Sequence, residues 1–130
     1  RPGGASIYWS PGTGAHEIYG GIRARWAQLG WERSTLGYPV IGERPSPDGV
    51  GRYQHFARPG GASIYWSPGT GAHEVYGGIR TRWGQEGYER GRLGYPVSGE
   101  YDVPGGRRSD FQGGSITWDR QTRTTQVTLG

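Results

Sequence analysis

The segment RPGGASIYWSPGTGAHE stands at residues 1–17 and again, letter for letter, at 58–74, and the match runs on through Tyr-Gly-Gly-Ile-Arg at 19–23 and 76–80. An eroded third version, GGSITWDRQTRTTQV, occupies 113–127. A chain that states one phrase three times folds as repeats, each too small to bury its own apolar face and completed by its neighbours. Function then lies in what every unit presents and in what one copy has lost.

Within a copy, residues 6–10 alternate, Pro11-Gly-Thr-Gly14 carries turn chemistry and residues 15–18 return, the pattern of a β-hairpin. Ile7 and Trp9 share one face and Tyr8 takes the other. The later copies keep Ile64/Trp66 and Ile116/Trp118, while Tyr8 and Tyr65 give way to Thr117. The Ile/Trp face is therefore expected in the core and the Tyr/Thr face in wetter surroundings.

Ile18, Ile22, Trp26 and Leu29 follow at helical spacing, with Gly30 as the stop; Val75, Ile79, Trp83 and Gly87 repeat the pattern. A helix of roughly ten residues is unstable alone, so its Ile/Trp stripe must dock on the hairpin. The arginines at 23, 25, 80 and 82 are then expected on a solvated helix face. Leu36-Gly-Tyr-Pro39 and Leu93-Gly-Tyr-Pro96 read as tight turns, Gly allowing positive φ and Pro marking a strand start or edge. Short strands at 52–56 and 107–111 each open on Arg and close on Phe, and Phe56 and Phe111 are expected in the core. The unit boundary thus falls before the helix. Residues 1–18 are the closing hairpin of an incomplete repeat, 19–75 a complete repeat, and 76–130 a complete repeat with a degenerate closing hairpin. The fold class is α+β: tandem small repeats, each a short helix plus antiparallel strands.

Composition narrows the function classes. Gly and Pro (27 and 9) are abundant enough to raise disorder, but they recur in register, and 6 Trp, 9 Tyr and 2 Phe supply bulk for small aromatic cores. There is no cysteine, hence no disulfide framework or thiolate metal site. All the cations are Arg, as codon bias in a GC-rich bacterial genome would give, and the net charge of +4 is spread among interleaved acids. No apolar segment approaches the ~20 residues of a membrane helix.

The chain offers little toward a catalytic constellation beyond carboxylates that could pair for glycoside hydrolysis. His16-Glu17 and His73-Glu74 lack the second His of a zinc-protease helix, no Lys exists for a Walker motif, and no Gly-x-Ser-x-Gly elbow occurs. Glu17, Glu43, Glu74 and Glu100 recur once per unit, which suits repeated binding or structure better than a single active site. Asp48 and Asp102 sit in loops as turn formers, since single carboxylates do not make a calcium site.

The carrying residues Gly21-Ile22, Trp26, Gly30, Leu36-Gly37-Tyr38-Pro39-Val40, Glu43, Gly51-Arg52, Phe56, Gly60-Gly61, Ser63-Ile64-Tyr65-Trp66 and Gly71-Ala72, restated from Gly78 to Trp118, resemble the LGFP repeat family of actinobacterial envelope proteins over nearly the whole chain. Tyr replaces the namesake Phe, and the last hairpin has lost Pro-Gly-Thr-Gly and His-Glu. The resemblance implies repeats attached to secreted enzymes of the envelope, thought to bind arabinogalactan-containing wall. It also implies a ring-like or compact array and an association with calcium that the spacing here does not supply.

Together these readings give a non-catalytic, lectin-like module of the secreted or wall-bound class that binds a cell-envelope polysaccharide and anchors an attached domain or further repeats. Nucleic acid is not an expected partner. Tyr8 and Tyr65, on the face opposite Ile/Trp, are the candidate sugar platforms. His16, Glu17, His73 and Glu74 form a candidate hydrogen-bonding corner, with helix capping or a structural hydrogen bond as the competing role. Tyr38 and Tyr95 of the turns complete the candidate set. Trp9, Trp66 and Trp118 can also stack on sugars, but their shared face with Ile assigns them to packing. The competing functions are a structural or protein-interaction array and Arg/aromatic binding of an anionic polymer, the latter marked by strong salt dependence. The third hairpin, lacking the corner, is expected to cap the array without binding.

Overall fold

The computed structural model describes the backbone of residues 5–10 and 14–130 and the side chains of residues 20–31 and 33–130. Strands β1 (Ala5–Ser10) and β2 (Gly14–Tyr19) pair antiparallel and run directly into helix α1 (Gly20–Leu29). A left-handed Gly30 ends the helix, and a 3-10 turn at Trp31–Arg33 leads to the Leu-Gly-Tyr-Pro turn. Four strands follow, β3 (Arg44–Pro45), β4 (Arg52–Phe56), β5 (Ala62–Ser67) and β6 (Gly71–Tyr76), in a sheet of order β3-β4-β5-β6. The sequence of elements then recurs. Helix α2 (Gly77–Gln85) and a second 3-10 turn (Tyr88–Arg90) precede β7 (Tyr101–Val103), β8 (Gly106–Phe111), β9 (Gly114–Asp119) and β10 (Thr125–Leu129), ordered β10-β9-β8-β7. This is the expected α+β repeat fold. One boundary shifts: Ile18 lies in β2 and its counterpart Val75 in β6, so each helix opens at the Gly-Gly pair.

Each helix lies between two sheets. Helix α1 packs on β1–β2 and on β5–β6, and α2 packs on β6 and on β9–β10. Two cores result, because a pleated sheet sends alternate residues to opposite faces. Ala62 and Ile64 on one face of β5 join Ile22, Trp26, Leu36 and Phe56 in the α1 core. Tyr65 and Val75 on the other face join Ile79, Trp83, Leu93, Tyr95, Phe111 and Ile116 in the α2 core. Strand β5 of the middle sheet is thus buried on both faces.

The Trp of each helix organises its core. Trp26 and Trp83 are fully buried, and their indole N–H groups donate to the carbonyls of Gly37 (3.1 Å) and Gly94 (3.0 Å). The Leu-Gly-Tyr-Pro turn presents that carbonyl because Gly37 and Gly94 sit at φ +77 and +72, the left-handed region that glycine enters freely. The Leu on one side of that Gly is fully buried, and Pro39 and Pro96 form single bridges to Phe56 and Phe111 at the sheet margin. The motif therefore latches the helix to its sheet.

The expected wet Tyr face is corrected by the structure. Tyr65 is only 5% exposed, stacks on Tyr53 (centroids 5.3 Å) and meets Trp83 edge-on (4.7 Å). Tyr8 and Tyr65 give way to Thr117 for a different reason. The face of β9 opposite Ile116 carries no helix among the described residues, and Thr117 sits there half-buried beside exposed Gln126 and Thr128. The arginines expected on a solvated helix face also do more than face water. Arg25 bonds Glu74, Arg80 Nε donates to Ser63 Oγ (3.0 Å), and Arg23 lies over the Trp31 ring.

Candidate functional site

Of the eight candidate site residues, Tyr8, His16 and Glu17 have side chains outside the described residues; their backbones place Tyr8 opposite His16 and Ile7 opposite Glu17. The other five do not converge on one surface: Tyr65 and Tyr95 meet inside the α2 core, and His73 stands opposite Tyr65 on the neighbouring strand. Tyr65 is a core residue whose burial raises its phenol pKa far above the ordinary value. Tyr95 is 3% exposed and donates its hydroxyl to Asp48 Oδ1 (2.7 Å), tying the loop of one repeat to the turn of the next; burial first, then the Asp48 contact, pushes it up to about 12. Tyr38, with no repeat before it among the described side chains, is only half-buried. His73 Nε2 bonds the Thr70 carbonyl (2.8 Å) and braces the hairpin turn.

Glu74 is buried, and Arg25 grips it with two bonds, Nε to Oε1 (2.7 Å) and Nη2 to Oε2 (2.9 Å). A Cβ on Gly99 would collide with that carboxylate, so the loop of the following repeat closes over the pair. Glu74 is accordingly mortar between layers, while His73 serves its own hairpin. For Glu74, Tyr65 and Tyr95 the structure replaces the expectation of an open sugar-facing surface with burial, because each repeat is covered by the next.

What recurs at the surface is a cleft at the start of each helix. The first is lined by Gly20, Gly21, Ile22, Glu43, Arg52 and Trp66 and holds about 160 Å³. The second is lined by Gly77, Gly78, Ile79, Glu100, Arg107 and Trp118, with Arg58 and Tyr76 added, and holds about 240 Å³. Residue for residue, the first six correspond. The counterparts of Arg58 and Tyr76 in the preceding copy, Arg1 and Tyr19, lie outside the described side chains.

Each wall has a local cause. The strand runs straight into the helix through Gly20 and Gly77, both at φ near +60 (+62 and +61), a turn that side chains resist. The second glycine lets the half-buried indole approach: a Cβ on Gly21 would stand 2.9 Å from Trp66 Cδ1. The floor is an ion pair, Arg52 Nε to Glu43 Oε2 at 3.1 Å and Arg107 Nε to Glu100 Oε2 at 2.9 Å. Arg107 also bonds Asp102 (2.6 Å) and reaches the Tyr76 hydroxyl, and these contacts raise its pKa while lowering that of Asp102. No side chain caps the first turn of α2; its first amide, on Gly77, donates to the Gly61 carbonyl (3.4 Å), and the amides behind it carry no side-chain cap.

Arg58 completes the second cleft. Its guanidinium lies over the Tyr76 ring (4.4 Å), it pairs with no carboxylate among the described residues, and its buried Nε has no hydrogen-bond partner. The arrangement offers an indole, a phenol stacked under a guanidinium, backbone amides and a fixed Arg–Glu pair. These suit a flat, hydroxyl-rich ring: apolar faces for its C–H surface and several donors and acceptors around its rim. Among the described residues there is no cluster of three or more potential metal ligands, and no helix is long and apolar enough to cross a membrane.

Sequence reasoning assigned Trp66 and Trp118 to the core and left the cleft unassembled. The signal was present in the invariance of Gly-Gly, Glu43/Glu100, Arg52/Arg107 and Trp66/Trp118 between copies. These residues are scattered along each repeat, and only the close of the helix start upon the sheet gathers them. The family model for the LGFP repeat matches residues 3–34, 36–91 and 93–130. No curated protein sequence matches the chain.

Proposed function

Because the chain belongs to the LGFP repeat family, we propose that it is a non-catalytic module that recognises a cell-envelope polysaccharide of the arabinogalactan type and holds a secreted protein at the wall. The observation that carries this reading is the recurrence of one cleft, with the same six residue types, in two successive repeats. An enzyme needs one active site, whereas a polymer with repeating sugars rewards several weak sites held in fixed spacing. The attached partner would be an enzyme domain or further repeats, and the site of action the wall outside the cell.

The test is retention of the protein on purified wall arabinogalactan, with Arg58→Gln and Trp66→Leu variants whose folding is checked by circular dichroism. Each substitution is expected to weaken retention about tenfold, and the pair more, since loss of one arm of a multivalent contact removes its effective concentration. Undiminished retention in both variants would remove the clefts from the reading. Failure of the unmodified protein to bind any wall fraction would end it.

A further inference from the structure

The two copies of the cleft differ on the far side of the Trp. At the matching place in the first copy, Arg25 is tied to Glu74, and its Nη1 is also bonded to Gln28 (3.1 Å). Around Trp118 that place is open. Glu74 stands opposite Ile64 in the middle sheet, whereas Val127 stands opposite Ile116 in the last. Arg82, the counterpart of Arg25, therefore finds no carboxylate at the strand position that Glu74 fills in the middle sheet. It turns to Glu86, just past the end of its own helix, at 3.4 Å, and Glu86 is held more closely by Arg92 (2.7 Å).

A second cleft of about 380 Å³ opens there, lined by Thr81, Arg82, Gln85, Arg123, Thr124 and Thr125 together with Gly78 and Trp118. Gly78 and Trp118 also line the repeated cleft, so the two hollows adjoin at the indole as the two halves of a groove. The eroded hairpin shapes its far rim. Asp119 Oδ1 accepts the amides of Gln121 and Thr122, the Arg123 amide donates to the Asp119 carbonyl (2.7 Å), and Arg123 sits at φ +59. The loop thus fixes Arg123 on the rim while the Asp119 carboxylate is spent on loop amides. The added half of the groove carries two guanidinium groups, three hydroxyls and an amide, with no carboxylate in its lining.

We propose that this groove binds an acidic saccharide segment: one sugar on the Trp118 face and the acid group of its neighbour at Arg82 and Arg123. The inference deepens the polysaccharide reading and rests on it for the choice of a sugar over another anion. It also reverses the expectation that the third hairpin caps without binding.

The decisive comparison is between an oligogalacturonide and the same oligosaccharide with its carboxyls reduced to alcohols, titrated into the protein and followed by amide chemical shifts. The acidic form should bind about tenfold tighter, in line with a charge-assisted contact, and shift resonances of 118–125. Arg123 and Thr81 are exposed, so Arg123→Gln and Thr81→Glu are expected to fold, as circular dichroism would check; both should erase the preference while leaving neutral-glycan binding at the Trp66 cleft intact. Equal affinity for the two oligosaccharides, or a preference that survives Arg123→Gln, overturns the inference and leaves the wall-glycan reading standing. A single-stranded DNA oligomer that binds as tightly as the oligogalacturonide overturns it as well, since charge alone would then suffice. An Arg123-dependent preference in a protein that ignores neutral wall glycan supports the groove and refutes the arabinogalactan assignment.

Discussion

Hairpins β5–β6 and β9–β10 hold the same place in successive repeats, yet their outer faces live in different solvents. On β5 the face opposite Ile64 is covered by α2, and Tyr65 is packed among Tyr53, Trp83 and Tyr95. On β9 the same face has no helix over it among the described residues, and Thr117 replaces the Tyr. The inner faces run parallel, with Ile64 and Ile116 both fully buried. A residue that changes between copies therefore marks a change of neighbour, which a substitution pattern alone cannot distinguish from a change of solvation.

Exchanging the two residues breaks that comparison most sharply. Tyr65→Thr should cost about 3 kcal/mol in urea denaturation, through lost burial and the cavity left against Trp83. Thr117→Tyr should stay within about 0.5 kcal/mol, because its face has no layer to overpack. Similar costs for the two exchanges would show that the middle and last sheets are not differently covered.

The paired helix arginines come next. Arg25→Ala leaves the buried Glu74 carboxylate without its partner and should destabilise by about 2–3 kcal/mol. Arg82→Ala, at the same helix position, removes only a loose contact with Glu86 and should cost under about 1 kcal/mol. A smaller effect is expected for Tyr95→Phe, which deletes the hydroxyl bond to Asp48 across the repeat junction: about 1 kcal/mol by the same denaturation, against no change for Tyr38→Phe.

The last test concerns acid. His55 lies on the covered face of the middle sheet, where burial, then Arg80 and Arg44, lowers its pKa to about 4. An unfolded histidine titrates near 6.5, so between about pH 6.5 and 4 the unfolded chain takes up a proton that the folded chain refuses. The stability contributed by the neutral ring is complete above that window and is lost as pH falls through it. The last sheet has Asp110 at the equivalent position and no such ring. The denaturation midpoint of the unmodified protein should drop across this window, and His55→Gln should flatten the drop; equal slopes would assign the acid sensitivity elsewhere.

Much of the architecture was legible in one dimension. Repetition set the number and content of the units, the Ile22/Trp26 spacing marked the helix, and Gly30 and Gly87 ended it in the left-handed conformation expected of a stop. Phe56 and Phe111 are core residues as their persistence indicated. The site was legible only as a set of invariant letters. Glu43, Arg52 and Trp66 come from a loop and two strands and share no local period, so no pattern rule groups them. The His-Glu corner misled for a related reason: Glu74 finds its partner, Arg25, 49 residues earlier in the chain, on the helix that its face of the sheet packs against.

By itself, then, the sequence determined what each repeat is, because propensity, turn chemistry and apolar spacing act over a few residues and are written in order. The tertiary structure decided what each repeat presents. Stacking one unit on the next chose which aromatic faces were buried, which carboxylates became mortar, and which Trp kept an open edge. Those outcomes depend on contacts between residues far apart in the chain, and identical letters such as the two Gly-Gly-Ile-Arg segments receive different surroundings from different neighbours.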